Sequence, residues 1–138
     1  GMIDMAVVLD QDIERYIAYE CKRLNVRYNG KKDSLAGLYV AKGMMRFVKE
    51  KYYSDRLPVG CMLGYVMDGD IFFAAKQVRK AILDNKGILG LISGPTNVAP
   101  VQFIKRFLTT HKRQSNEIVI RHALLAFPKP EPMVNASV

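Results

Sequence analysis

The chain of 138 residues has no tryptophan, only two histidines and only two cysteines. Cys21 and Cys61 lie in apolar segments and form neither a CxxC pair nor a Cys/His cluster, so they indicate buried, reduced thiols rather than a disulfide or zinc site. No apolar run reaches the length of a membrane span, and the N-terminus lacks the basic-then-apolar layout of a secretory signal. We therefore expect a cytoplasmic protein without a membrane partner.

Acidic residues are also scarce, since 13 Asp and Glu stand against 21 Lys and Arg and give a net charge of +8. This balance favours a polyanionic partner, with nucleic acid first and an anionic membrane second, although a solvated basic surface has the same composition. The apolar content of 49% excludes a disordered chain. The length predicts one domain over residues 2–127, followed by a flexible Pro-rich tail over residues 128–138.

The segment Arg15–Leu24 (RYIAYECKRL) carries the clearest chemical pattern. Its aromatic, β-branched and small apolar residues predict a strand bounded by polar turns. Side chains of a strand alternate between its faces, so Glu20 and Lys22 project together on the side opposite to Cys21. An acid and a base so placed are typical of a catalytic cation site, but also of an ordinary ion pair at a strand end.

A second strand is predicted over Ile3–Leu9, and the polar turn after it would fold the two segments into an antiparallel hairpin. Asp4 lies at the start of this strand. With Asp4 in one strand and Glu20, Cys21 and Lys22 in the next, and with the phrase YECKRLN, the chain resembles the PD-(D/E)XK nuclease superfamily. The resemblance implies an α/β fold with a mixed β-sheet and flanking helices, a truncated restriction-endonuclease-like core.

This resemblance also implies a chemistry and a substrate. Asp4, Glu20 and the backbone carbonyl of Cys21 would hold Mg²⁺, or Mn²⁺ in its place, because these ions prefer hard oxygen ligands. Lys22 would orient the attacking water or neutralise charge in the transition state. The implied function is metal-dependent hydrolysis of DNA phosphodiesters in restriction or repair, and Asp4, Glu20 and Lys22 are its candidate catalytic residues.

Further elements follow from turn and periodicity signals. Asn25–Ser34 is predicted as a mobile basic loop, and residues 35–53 as an amphipathic helix in which Gly43 approaches the sheet. The basic face of this helix is either solvated or, through Arg46 and Lys49, in contact with phosphates. Val59–Met67 predicts a central strand covered on both faces, running parallel to the first in the resembled fold.

The second half of the chain contains a helix, a loop region and a final strand. The helix is predicted from Ile71 to about Asn85, with Asp70 as its cap. We expect a long surface loop over Lys86–Pro100 and a short helical turn over Val101–Leu108. Glu117–Phe127 is predicted as the last strand, with His122 as a core residue.

The polar cluster TTHKRQSN precedes this last strand. By resemblance, its residues His111, Lys112 and Arg113 are candidates for contact with phosphates, whereas the residues alone equally indicate an ordinary polar loop. The resembled core also places a helix and a strand before the Asp strand, and only three residues precede Asp4 here. This departure implies a fragment, a homodimer or other subunit that completes the sheet, or a catalytically inactive domain for nucleic-acid binding or assembly.

Overall fold

The computed structural model describes residues 5–8, 16–49 and 57–127, which form an α/β fold with a six-stranded mixed sheet. The strands are β1 (Met5–Val8), β2 (Tyr16–Arg23), β3 (Asn25–Tyr28), β4 (Lys31–Ser34), β5 (Val59–Val66), β6 (Leu91–Asn97), β7 (Ile104–Lys112) and β8 (Glu117–Ala126). The helical elements are α1 (Ala36–Tyr39), a π-helical segment (Val40–Met44), α2 (Met45–Val48) and α3 (Ile71–Asp84). No helix among the described residues is long and apolar enough to cross a bilayer.

The strand order in the main sheet is β1-β2-β5-β8-β7-β6. β1 runs antiparallel to β2, with Met5 opposite Tyr19, and β2, β5 and β8 run parallel to one another. β7 and β6 then continue the sheet in antiparallel fashion. The predicted mixed sheet, the first hairpin and the parallel central strand are therefore confirmed.

The described helices pack on one face of this sheet. Inward-facing side chains of the central strands, such as Ala18, Met62 and Ile120, form one buried cluster with Phe47 of α2 and Val78 of α3. The central strand β5 was expected to be covered on both faces, and the described helices cover one of them. On the other face, the strand side chains are half-buried or exposed, apart from the buried thiol of Cys61.

Two glycines allow the helices to approach the sheet closely. A Cβ at Gly43 would collide with the end of the Met62 side chain, and one at Gly60 would come within 2.6 Å of the Phe47 ring. The predicted approach of Gly43 to the sheet is thus confirmed. The two glycines set the depth at which the helical layer lies on β5.

The prediction of a loop over Asn25–Ser34 is wrong, because these residues form the separate two-stranded hairpin β3–β4. Asn29 and Gly30 have φ angles of 50° and 74°, the left-handed conformation that a two-residue hairpin turn requires. An Asn-Gly pair supplies this conformation at low cost, so the local signal was present in the sequence.

The predictions for residues 86–108 are also wrong in part. Leu91–Asn97 forms the edge strand β6, and the expected helical turn over 101–108 instead contains the start of β7. An edge strand tolerates Gly94 and Pro95 because one side of its backbone needs no sheet partner. The helix α3, its cap through the Asp70 side chain and the final strand are confirmed.

Candidate active site

Glu20 lies in the middle of β2, and its side chain points into the helical layer with no exposed surface. The guanidinium Nη1 of Arg46 donates to both carboxylate oxygens, at 3.1 Å and 3.0 Å. The ammonium of Lys22, two residues along the strand, lies 3.6 Å from Oε2. The predicted common face of Glu20 and Lys22 is therefore confirmed, and Arg46 joins them from α2.

Burial explains why two cations gather at this carboxylate. A buried charge without a partner costs several kcal/mol, and this cost is offset only by close, hydrogen-bonded countercharges. The helical stretch supplies them because Gly43, which has no side chain, lets it lie close to Met62 and Lys22 and so brings the following turn with Arg46 over Glu20. The side chains of Lys22 and Arg46 remain 21% and 30% exposed, so the cluster reaches solvent on its cationic side.

A basic stripe continues from this cluster along the helical stretch. It consists of Lys42, Arg46 and Lys49, of which both lysines are exposed. Together with Lys22, the stripe places several positive charges beside one buried acid. Such an arrangement attracts anions to the mouth of the site.

Of the other predicted metal ligands, Asp4, the expected second carboxylate, lies outside the described residues. Cys21 points to the other face of β2, where its thiol accepts a hydrogen bond from Tyr65 Oη at 3.7 Å. Among the residues that the structure describes, no group of three His, Cys, Asp or Glu side chains is arranged to hold a metal ion.

The other predicted phosphate ligands, His111, Lys112 and Arg113, lie at the end of β7 and in the loop that follows it. His111 has no exposed surface and Arg113 is only 4% exposed, whereas Lys112 between them faces solvent. The Arg113 guanidinium donates to the carbonyls of Leu57 at 3.0 Å and Phe47 at 3.4 Å. The prediction of a polar loop is therefore wrong for His111 and Lys112, which belong to β7, whereas Arg113 lies in the loop after β7 with its side chain buried.

Both histidines belong to one buried chain of hydrogen bonds. The carbonyl of Leu89 only accepts, so Nδ1 of His111 carries the proton and donates to it at 2.8 Å. Neutral His111 then accepts at Nε2 from the Thr109 hydroxyl at 2.7 Å, and Thr109 accepts from Nε2 of His122 at 2.8 Å. Nδ1 of His122 finally accepts from the Tyr39 hydroxyl at 2.7 Å. Every donor in this chain has an acceptor when both rings are neutral.

The electrostatics of the chain agree with this assignment. Burial lowers the pKa of His111 and, together with the nearby charge of a protonated His111, lowers that of His122 well below its ordinary value. Burial also raises the pKa of the Tyr39 hydroxyl, so it stays protonated and donates. His122 is further stacked on Phe107, with ring centroids 4.3 Å apart. The prediction of His122 as a satisfied core residue is confirmed.

A cavity of about 620 Å³ lies on the sheet face opposite to Glu20. Apolar side chains of β2, β5 and β7 line it, together with the guanidinium groups of Arg106 and Arg121. Its lining contains the Tyr19 hydroxyl and the Cys61 thiol, and burial raises the pKa of both groups. None of its described lining residues is a carboxylate, so this part of the cavity has none of the acid–base pairing present around Glu20.

The cluster of Glu20, Lys22 and Arg46, which we call the β2 cluster, is thus the main concentration of paired charge on the helical face of the described sheet. Arg46 could not have been assigned to Glu20 from the sequence, because the two residues lie in different elements and no local pattern links them. No protein-family model, no curated protein and no solved structure gives a significant match to this chain.

Proposed function

We propose that this domain is a metal-dependent phosphodiester hydrolase that acts on DNA, with the chemistry of the PD-(D/E)XK nucleases. The observation that carries the proposal is the contact of Glu20 with Lys22 on one face of β2, between the antiparallel β1 and the parallel β5. The exposed basic stripe beside this pair supports a polyanionic substrate.

In this proposal Glu20, the carbonyl oxygen of Cys21 and Asp4 would hold Mg²⁺ or Mn²⁺, because carboxylate and carbonyl oxygens are the ligands that these ions prefer. When bound, the ion supplies Lewis acidity to the phosphate and lowers the pKa of a water ligand. Lys22 stabilises the negative charge that develops on the phosphate oxygens, since its ammonium lies on the solvent side of Glu20.

Arg46 gives this site a second property. Its guanidinium and a divalent cation would compete for the same two oxygens of Glu20. In the proposal, Arg46 pairs with the carboxylate in the metal-free protein and would turn towards a phosphate when a cation takes its place. A partly exposed arginine on a basic stripe is well placed for that exchange.

The proposal is tested by nicking of supercoiled plasmid in Mg²⁺ and Mn²⁺, with calorimetric titration of both ions. Glu20→Gln keeps the size of the side chain but removes its charge. We expect cleavage to be slower by about 100-fold or more, and the heat of metal binding to be lost. Lys22→Gln is expected to slow cleavage to a similar degree. Asp84→Asn is the matched control, because Asp84 forms an exposed pair with Lys80. Cleavage that is absent in both ions, or equal in Glu20→Gln and wild type, would contradict the proposal.

The geometry around Arg46 favours one alternative, a nuclease-fold domain that binds nucleic acid or a second subunit without cleavage. Arg46 contacts both oxygens of Glu20, which is the arrangement of a structural ion pair. The described sheet also ends at β1, on which the side chains of Met5 and Val7 are half-exposed. A homodimer could extend the sheet by pairing along this edge. This alternative predicts DNA binding that weakens steeply with salt and no cleavage in any divalent ion.

A further inference from the structure

The hairpin β3–β4 carries an aromatic ring at its tip that does not contribute to the core. Tyr28 is 75% exposed and directly precedes the turn residues Asn29 and Gly30. Tyr28 pairs across the hairpin with Lys31, and Arg27 pairs with Lys32. The tip therefore presents a ring beside cations, and Asp33, the acid of the hairpin, stands towards its base.

The base of the hairpin is fixed to the main sheet. Asn25 Nδ2 donates to the Asp68 carboxylate at 2.9 Å and to the Asp70 carbonyl at 3.2 Å. Lys32 forms ion pairs with both aspartates, and the pKa of each aspartate is lowered. For Asp70 the main cause is the hydrogen bond from Lys32. For Asp68, burial acts in the opposite direction, but the hydrogen bonds and the charge of Lys32 outweigh it. The backbone N–H of Leu35 donates to the carbonyl of Leu24 at 2.7 Å. These contacts hold the hairpin in one orientation.

The same contacts divide the cations of the hairpin into two groups. Lys32 is neutralised by Asp68 and Asp70. Arg27 and Lys31 are exposed and form no ion pair within the described part of the chain. Lys31 lies on the same face of the hairpin as Tyr28, whereas Arg27 lies on the opposite face, in a pocket shared with Asp68 and Asp70. A polyanion that passes over the tip would therefore meet the Tyr28 ring and the Lys31 ammonium on one face and Arg27 on the other.

This combination matches nucleic acid. Stacking of a base on an exposed aromatic ring contributes about 1–3 kcal/mol, and neighbouring cations bind the phosphates on either side. A hairpin whose base is already ordered loses little conformational entropy on binding. We propose that the β3–β4 hairpin is a nucleic-acid-binding element, in which Tyr28 stacks on an unpaired or splayed base while Arg27 and Lys31 contact the backbone.

The hairpin begins three residues after Lys22, which connects it to the β2 cluster. Eight residues separate Glu20 from Tyr28, so at about 3.3 Å per residue the tip lies at most about 26 Å from the candidate site. This distance corresponds to roughly eight nucleotides of one strand. As a means of holding DNA substrate, the proposal rests on the proposed function; as a binding element, it is tested separately.

The test is fluorescence anisotropy with a labelled 20-nucleotide single strand and the matching duplex, in EDTA so that no cleavage occurs. We expect Tyr28→Ala to weaken binding of the single strand by about 5- to 150-fold, which is the stacking contribution expressed as affinity. Arg27→Gln and Lys31→Gln should each reduce the slope of log affinity against log salt by about one. Phe72→Ala is the matched control, because Phe72 is 79% exposed on α3.

Equal affinities for wild type, Tyr28→Ala and Phe72→Ala would overturn the proposal. Binding of polyglutamate that is as strong as that of DNA and equally sensitive to Tyr28→Ala would also overturn it, because the hairpin would then select acidic polymers in general. Cleavage is measured separately, so the two proposals fail independently. If Tyr28→Ala weakens binding and no variant cleaves DNA, the hairpin proposal stands and the proposed hydrolase activity fails.

Discussion

At the scale of single residues, the chain of hydrogen bonds that begins at the Tyr39 hydroxyl and ends at the Leu89 carbonyl shows how buried polar groups become compatible with a hydrophobic core. Two histidines, a threonine and a tyrosine donate in one direction, and the last proton is accepted by a backbone carbonyl. Protonation of either ring would turn an acceptor nitrogen into a donor that faces another donor. The core therefore accommodates both histidines only in their neutral form.

A pH dependence of stability follows. Histidines in the unfolded chain have a pKa near 6.5, whereas burial lowers the folded pKa of His111 and His122. The unfolded state thus binds more protons below about pH 6.5, and the free energy of unfolding falls as the pH falls. We expect a slope of up to about 1.4 kcal/mol per pH unit for each histidine, measured by urea unfolding between pH 5 and 7.5.

The variant that tests the origin of this pH dependence is His122→Asn. If His122→Asn does not fold, His111→Asn takes its place. Either replacement removes one of the two titrating groups and should reduce the slope by about half. Asp68 and Asp70 have lowered pKa values and titrate in a more acidic range, so they do not produce a slope near pH 6. A stability that is constant between pH 5.5 and 7.5 would show that these histidines are not held neutral.

Arg46 offers a second prediction at this scale. Arg46→Met removes the hydrogen-bonded partner of the buried Glu20 carboxylate, and we expect a loss of about 1.5–3 kcal/mol of stability without metal. Lys49→Met is the control, because Lys49 is an exposed cation of the same helical stretch. Urea unfolding of both variants makes the comparison. Equal stabilities of the two would mean that the arginine contributes only screened surface charge.

At the scale of elements, the glycines of the sheet decide how the helices lie on it. Gly60→Ala would place a methyl group 2.6 Å from the Phe47 ring, and overpacking of this kind costs about 1–3 kcal/mol. Gly37→Ala is the matched control, since nothing lies within 4 Å of a Cβ there and the residue is exposed in α1. We expect that control to raise stability by about 0.4–1 kcal/mol. If the two substitutions shift the thermal unfolding temperature in the same direction, this prediction is contradicted.

Elements with a regular apolar pattern could be predicted from the sequence. β5, α3 and β8 alternate or repeat their buried positions regularly, and Asp70 provides a recognisable cap. β7 could not be predicted in the same way, because its inward positions include Thr109 and His111, which are polar and satisfied only by their partners in other elements. β6 was hidden by Gly94 and Pro95, which an edge strand accommodates.

The candidate site was predictable only where its residues share one strand. Glu20 and Lys22 could be placed together because strand geometry alone fixes their common face. The position of Arg46 depends on how closely the helical stretch approaches the sheet, which Gly43 and Gly60 determine through tertiary contacts. The burial of Arg113 likewise depends on carbonyls of Leu57 and Phe47 that lie far away in the sequence.

At the scale of the whole molecule, net charge and topology act together. Part of the charge of +8 lies in two positive regions, the hairpin tip and the basic stripe that continues from the β2 cluster. Binding of DNA to both regions would release more counterions than binding to either one. The slope of log affinity against log salt should therefore be larger for the wild-type domain than the decrease in slope that Arg27→Gln and Lys31→Gln cause together.

The sheet order has a consequence for synthesis on the ribosome. β8 is the last of the described strands to be made, yet it is hydrogen-bonded between β5 and β7 near the centre of the sheet. Until β8 has left the exit tunnel, β5 has an unpaired edge and β7 lacks its longest partner. The nascent chain therefore cannot complete its core gradually from the N-terminus, and it becomes protease-resistant only after about residue 126 has emerged.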